Sequence, residues 1–306
     1  MNKKLTAVLS VIVILVFIGY IIFDSISSGS SDEDIVEINN SESIPDSWII
    51  SGELQVDDGS LRAVTVPSTG SIYIGGDSFV QCYDKDLNLI WNLKTPYSVT
   101  ALSNFGDSIF ASTMDMILVI SSDGQLINEW GPYEDNSIIT SVASNRSYVV
   151  FADAGTKAVF CLDKGGEVKS LIGHSGEPFI IPSPYFDVAI DSDNTLFIAN
   201  TGHRRVETRT IDGELISYFG EAGTAPDAFC GCCNPAHFIL FPEGFATAEK
   251  GINRIKILDE NGAFVEYVSS ENNFTPSVPL DLASADGKTI YAANPADSKL
   301  YIFTRK

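Results

Sequence analysis

Histidine is scarce in this chain, with three residues in 306, and so is positive charge: 19 Lys and Arg face 40 Asp and Glu. The resulting net charge of −21 repels nucleic-acid phosphates and anionic lipid headgroups, which excludes nucleic-acid binding. The acidity reads first as solubility and leaves cationic partners open. Cysteine is absent before Cys82, so no lipobox follows the apolar N-terminus. No nucleophile elbow, phosphate-binding loop or H-E-x-x-H zinc motif occurs anywhere, which removes the common sequence signatures of hydrolases and nucleotide-binding enzymes.

Long uncharged runs are also rare, with one exception. Lys3 and Lys4 precede Leu5 to Phe23, LTAVLSVIVILVFIGYIIF, which carries no charge. As a helix this run reaches about 28 Å, the thickness of a hydrocarbon core. It is longer than the apolar part of a cleavable signal, and no A-x-A-like site follows it. Residues 1–23 are therefore expected to form a signal-anchor transmembrane helix. The two lysines would stay in the cytoplasm and the rest of the chain would lie outside, in a periplasm or at the cell surface. Residues 24–47 hold seven acids, many serines and no basic residue, too little apolar area to offset the cost of ordering. They are expected to be a flexible linker to a single domain at 48–306.

From Ala63 onward the chain repeats every 37 to 49 residues, a period that signals a propeller or solenoid. Each unit runs from a short apolar strand through second strands such as SIYIGG and TLFIAN to third strands such as FVQCYD and RIKILD. Turns at Asp123-Gly124, Gly165-Gly166, Asp212-Gly213 and Asn261-Gly262 lead into fourth strands. The sixth unit lacks its fourth strand, while Trp48 to Leu54 is an orphan strand before the first unit. The expected architecture is all-β, a six-bladed β-propeller closed by that orphan. Closure removes an exposed sheet edge.

In the fourth unit, Ala199-Asn200-Thr201-Gly202-His203-Arg204-Arg205-Val206, then Asp212-Gly213-Glu214-Leu215 and Phe219-Gly220, is similar to the NHL repeat. Lys250-Gly251-Ile252-Asn253-Arg254-Ile255 in the fifth unit is a weaker copy. The other four units keep the strand spacing and lose the signature arginine. The resemblance implies a propeller, but this fold hosts lyases, lactonases, sensors and scaffolds alike. It also implies that His203, Arg204 and Arg205 belong to the repeat rather than to an active site.

Of the five cysteines, Cys82 and Cys161 share the strand position of Ile120, Ile257 and Ile302, which predicts core packing between blades. The other three crowd into Phe229-Cys230-Gly231-Cys232-Cys233-Asn234-Pro235-Ala236-His237, the connection between blades four and five. Three thiols and an imidazole at this spacing match zinc, copper or an iron–sulfur cluster, which makes Cys230, Cys232, Cys233 and His237 candidate metal ligands. A loop disulfide competes with this reading outside the membrane and would leave one thiol over. The loop also resembles a Cys-Cys-Asn-Pro loop of some bacterial NHL-repeat proteins.

Counting back about nine residues from each second strand aligns Thr100, Thr140, Asp187, His237 and Asp281 at the start of innermost strands. Hydroxyls, carboxylates and one imidazole around a channel mouth suit a cation or a small polar ligand, and equally an ordinary wet channel. Three functions follow. One is a binding or redox module with a protein or small polar partner and a metal centre in the cysteine loop. Another is a metal-dependent lyase or hydrolase in which His174 faces His237 across the channel. The third is an interaction scaffold with a disulfide-stapled loop.

Overall fold

A computed structural model describes residues 44–174, 177–231, 233–270 and 273–306. The predicted signal anchor and most of the predicted linker lie outside the described residues. The chain joins the fold just ahead of Trp48: Ser47 N–H donates to Tyr267 O at 3.0 Å, and Ser270 N–H donates to the Asp46 carboxylate at 2.8 Å.

Strand β1 (Trp48–Gln55) comes first. Blade one is β2 (Leu61–Thr65), β3 (Ile72–Gly76), β4 (Phe79–Tyr83) and β5 (Leu89–Lys94). Blade two is β6 (Ala101–Phe105), β7 (Ser108–Ser112), β8 (Ile117–Ser121) and β9 (Leu126–Trp130). Blade three is β10 (Ile139–Ser144), β11 (Tyr148–Asp153), β12 (Ala158–Asp163) and β13 (Val168–Ile172). Blade four is β14 (Val188–Ile190), β15 (Leu196–Asn200), β16 (Arg205–Arg209) and β17 (Leu215–Phe219). Blade five is β18 (His237–Phe241), β19 (Gly244–Ala248), β20 (Ile255–Asp259) and β21 (Phe264–Ser269). Blade six is β22 (Asp281–Ala283), β23 (Thr289–Asn294) and β24 (Lys299–Arg305), with β1 as its outer strand.

The ring therefore closes as the orphan strand predicts. β1 runs antiparallel to β24 from Trp48 opposite Arg305 to Gln55 opposite Lys299, with one register shift between Ile50 and Gly52. Trp48 is buried against Phe241, and its indole N–H donates to Glu266 at 2.9 Å. Closure joins the two ends of the described domain, so the first strand contributes to the last blade's core.

Period-two alternation explains the packing. The middle strands of each blade are covered on both faces, and their apolar side chains form clusters between neighbouring blades. Between blades two and three, Phe110, Trp130, Phe151 and Phe160 pack together, with Phe151 and Phe160 stacked at 4.6 Å. Cys82 packs with Ile109 and Ile120, and Cys161 with Ile198, as their strand register predicts. The blade-to-blade joint also uses the turn glycines. At Gly262, with φ +84°, a Cβ would stand 2.4 Å from Phe219, so the aromatic end of blade four's outer strand packs on blade five's turn. Trp130 and Gly166 repeat the arrangement between blades two and three.

Candidate functional site at the channel mouth

The innermost strands β2, β6, β10, β14, β18 and β22 line a central cavity of about 280 Å³ that includes Thr140, Asp187, His237 and Asp281. A second cavity of about 400 Å³ sits at its mouth and shares Thr140 and His237 with the first. Thr100 lines this mouth cavity, Thr140 and His237 line both, and Asp187 and Asp281 line the central one. The ring has a sixth member that the alignment passed over, Arg62. It occupies the register shift between Leu61 and Ala63 in β2, as Thr140 does between Ile139 and Ser141 in β10. The nine-residue count applied to Ser71 points to it, but reading the repeat from Ala63 stops one residue short.

The ring positions differ in what their side chains already do. Thr140 Oγ1 donates to Phe186 O at 2.6 Å, and Thr100 Oγ1 lies 2.9 Å from Ser112 Oγ. Thr140 thus ties blade three to the entry of blade four, and Thr100 braces its own blade. Arg62 donates from Nε and Nη2 to Asp77 at 3.0 and 2.9 Å, so its charge is matched at the rim. The chemistry concentrates on blades four to six. His237 Nδ1 stands 3.7 Å from Asp187 Oδ2 and 3.8 Å from Asp281 Oδ1. Asp187 accepts from Ser141 Oγ, from Val188 N–H at 2.9 Å and from Phe238 N–H at 2.7 Å, which ties blade four to blades three and five. Asp281 accepts from Val64 N–H at 2.8 Å and ties blade six to blade one.

Burial pushes both carboxyls up, and the His237 charge and the backbone donors only partly offset it. Asp281 is pushed up to about 6, helped by the negative charge of Asp187. Tyr185 meets the His237 ring edge-on at 6.3 Å, and Lys250 Nζ lies 4.5 Å over the Tyr185 ring. The arrangement supplies one buried and one half-buried carboxylate to one imidazole at the opening of a polar cavity. It can hold a positive charge or exchange a proton near neutral pH.

The cysteine loop lies apart from this cluster in its contacts. Arg254 donates to Thr224 O at 3.0 Å and to Ala225 O and Ala228 O at 3.0 and 2.6 Å. Glu249 accepts from Arg254 Nε at 2.6 Å, from Lys256 Nζ at 2.9 Å and from Cys230 N–H at 3.3 Å. Asn234 braces the loop, donating to Cys230 O at 2.6 Å and accepting Lys250 N–H at 2.9 Å. Arg204 Nε donates to Gly231 O, which links blade four to the loop. Cys230 and Cys233 are buried, and Cys230 Sγ rests 3.7 Å from Lys250 O. Cys232 lies outside the described residues. Among the described residues no three His, Cys, Asp or Glu side chains converge in metal-ligand geometry.

The Glu249–Arg254–Lys256 network was not foreseen, although Arg254 stands at the repeat's signature position. The equivalent in blade four is Glu207, which accepts from Asn200 Nδ2 and Arg205 Nε at 2.8 Å and from Arg209 Nε at 2.7 Å. Arg205 is thus a framework residue, in keeping with the repeat. His203 sits 3.7 Å from Glu177 on the outside. One expectation fails: His174 is exposed and lines neither cavity.

This ring of four-stranded sheets defines the class, a six-bladed β-propeller with a polar channel. Solved structures share the fold. Virginiamycin B lyase from Staphylococcus aureus superposes with a TM-score of 0.57 at 16% identity, covering 85% of this chain and 100% of its own. A streptogramin B lyase gives 0.61 at 12% identity, covering 85% and 98%. A protein of unknown function from Bacteroides thetaiotaomicron gives 0.64 at 14%, covering 83% and 72%. No family model matches the sequence, and no curated protein matches it.

Proposed function

We propose that the chain is an extracytoplasmic NHL-type propeller, anchored by residues 1–23 and tethered by 24–47, that acts as a binding module for a small polar ligand at the channel mouth. The observation that supports this most is the placement of His237 beside the buried Asp187 and the half-buried Asp281 carboxylates, at the junction of two cavities. Buried charges carry a desolvation cost, and a ligand group that completes them recovers it. The test is a thermal-shift panel on the full chain in detergent, with glycine, imidazole, inorganic phosphate, glucose, calcium chloride and 2-phenylethylamine. At least one member stabilises the wild type and not His237→Ala. A panel in which no stabilisation depends on His237 overturns the reading.

A second reading is a lyase. Asp281, which burial raises to about 6, faces the His237 imidazole at 3.8 Å, so a carboxyl able to take and return a proton stands beside a second polar group, as an elimination requires. Among the fold neighbours is a catalytically inactive histidine-to-alanine variant of the Staphylococcus aureus lyase with quinupristin, at 16% identity and a TM-score of 0.53. Product formation lost in both Asp281→Asn and His237→Ala favours this reading.

For the loop, the reading remains a thiolate centre for zinc, copper or an iron–sulfur cluster on Cys230, Cys232 and Cys233. Burial of Cys230 and Cys233 beside the Glu249 network supports it. With Nδ1 of His237 facing the carboxylates, only Nε2 is open to such a centre. Metal analysis and thiol counting on anaerobically purified protein test it: five reactive thiols after denaturation with chelator support a metal centre, and three indicate a disulfide.

A further inference from the structure

Resting on the binding-module reading, we infer that the mouth takes an organic ammonium ion with an apolar body, its charge against Asp187 and Asp281 and its body on the mouth's apolar wall. The charges around the ring lead there. Arg62 is matched by Asp77, and the Lys250 ammonium lies on the Tyr185 ring. His237 offsets at most one of the two carboxylates, so the floor of the mouth is short of positive charge by one when the imidazole is protonated and by two when it is neutral. Hydrogen bonding agrees. A carboxylate has about four acceptor sites. Asp187 uses three, on Ser141, Val188 and Phe238, and Asp281 uses two, on Val64 and Leu282. The oxygens nearest His237 are 3.7 and 3.8 Å from Nδ1, beyond a good hydrogen bond, which leaves them able to accept from an ammonium N–H.

The walls supply the other half of the ligand. Asp187 and Asp281 line the central cavity; past Thr140 and His237, which both cavities share, the mouth is lined by Ile138, Tyr185 and Pro279, and through Thr100 and Ile138 it continues into a trough of about 390 Å³ that contains Tyr97 and Met114. Tyr97 and Met114 are 46% and 62% exposed, large apolar side chains held at a rim where nothing in the fold requires them. A groove with an apolar wall and a negative floor complements an amphipathic cation and repels anions. The chain's net charge of −21 draws the same ligands toward it.

The experiment compares four probes on the full chain by ligand-observed NMR and calorimetry: 2-phenylethylamine, 2-phenylethanol, 3-phenylpropionate and methylammonium. The expected result is that 2-phenylethylamine binds at least about tenfold more tightly than the other three. Asp281→Asn is expected to cost about tenfold for the amine alone, and Ile138→Ser to weaken the amine while leaving methylammonium unchanged. These probe comparisons on the wild type need no variant to fold. Equal binding of the alcohol or the carboxylate overturns the need for charge, and equal binding of methylammonium overturns the apolar body. If none of the four binds but glycine, phosphate or another panel member still stabilises through His237, the ammonium inference falls and the binding module stands. If nothing depends on His237, both fall.

Discussion

Blades four to six hold two kinds of buried charge, and they are built on opposite terms. Around Glu249 and Glu207 charge is matched by direct contact, each carboxylate hydrogen-bonded to two cations: Glu249 to Arg254 and Lys256, and Glu207 to Arg205 and Arg209. At the channel mouth two carboxylates face one imidazole. The consequences run in opposite directions. Hydrogen bonds from Asn200, Arg205 and Arg209 overcome the burial of Glu207 and hold its carboxyl below the usual carboxylate range. Burial without such matching lifts Asp187 and Asp281 above it. A matched network fixes a loop or a blade, whereas an unmatched one stores a preference for something not yet present. Two tests separate them.

The larger effect is expected from the matched network. Glu249→Ala leaves Arg254 and Lys256 buried without a counter-charge, and Lys256, already lowered to about 8 by burial, would be fully desolvated and unpaired. Breaking such a pair from one side costs about 3–5 kcal/mol. Urea unfolding measures it. The same variant frees the Cys230 N–H, so the loop thiols should react faster with iodoacetamide. A loss below about 1 kcal/mol would mean that the network is ornamental to the fold.

The next effect has the opposite sign. The folded-state pKa of Asp281, about 6, lies above its ordinary value of 3.8, so the folded protein binds this proton more tightly than the unfolded chain. That contribution is present at low pH and is lost as pH rises from about 4 through about 6. Asp281→Asn keeps an oxygen for Val64 N–H and removes the charge. It should be stabilising at pH 8 relative to pH 4 by about 2–3 kcal/mol. If Asp281→Asn is instead as damaging at pH 8 as Glu249→Ala, the channel cluster is another structural ion pair and the comparison collapses.

The two regions also differ in how far they were legible in the sequence. The propeller followed from local rules: period-two strands, glycines at positive φ in the turns, and an orphan strand at Trp48 that had a vacancy to fill. The ring positions followed from spacing alone, because Thr100, Thr140, Asp187, His237 and Asp281 stand seven or eight residues ahead of their second strands. Arg62 stands nine ahead, in a register shift where the apolar pattern is displaced. The Glu249 network joins β19, β20 and the long loop from 220 to 236, and no short-range pattern encodes such a meeting. The place of His174 was not legible either, since no periodicity in the sequence fixes where a connecting residue stands. The burial of Cys230 and Cys233 was not legible for the same reason, since it comes from the loop's long-range contacts.

The smallest expected effect serves as the control for both. Cys82 and Cys161 are buried between blades, and burial pushes each thiol up to about 11. At Cys161 a hydrogen bond from Ser170 pulls the other way, and the Asp212 carboxylate adds to the rise. Such a thiol is neutral in the folded and the unfolded chain at pH 4 and still almost entirely neutral at pH 7. Cys161→Ala removes one sulfur from a packed cluster, which costs about 1 kcal/mol through the cavity it leaves. Since no charge changes, the loss should be equal at pH 4 and pH 7, where Asp281→Asn shows most of its swing. Native Cys161 should also resist iodoacetamide at pH 8, because the thiolate is scarce and the sulfur is covered. A pH-dependent loss at Cys161 would mean that the dependence seen at Asp281 belongs to the whole fold, and the contrast between matched and unmatched charge would lose its meaning.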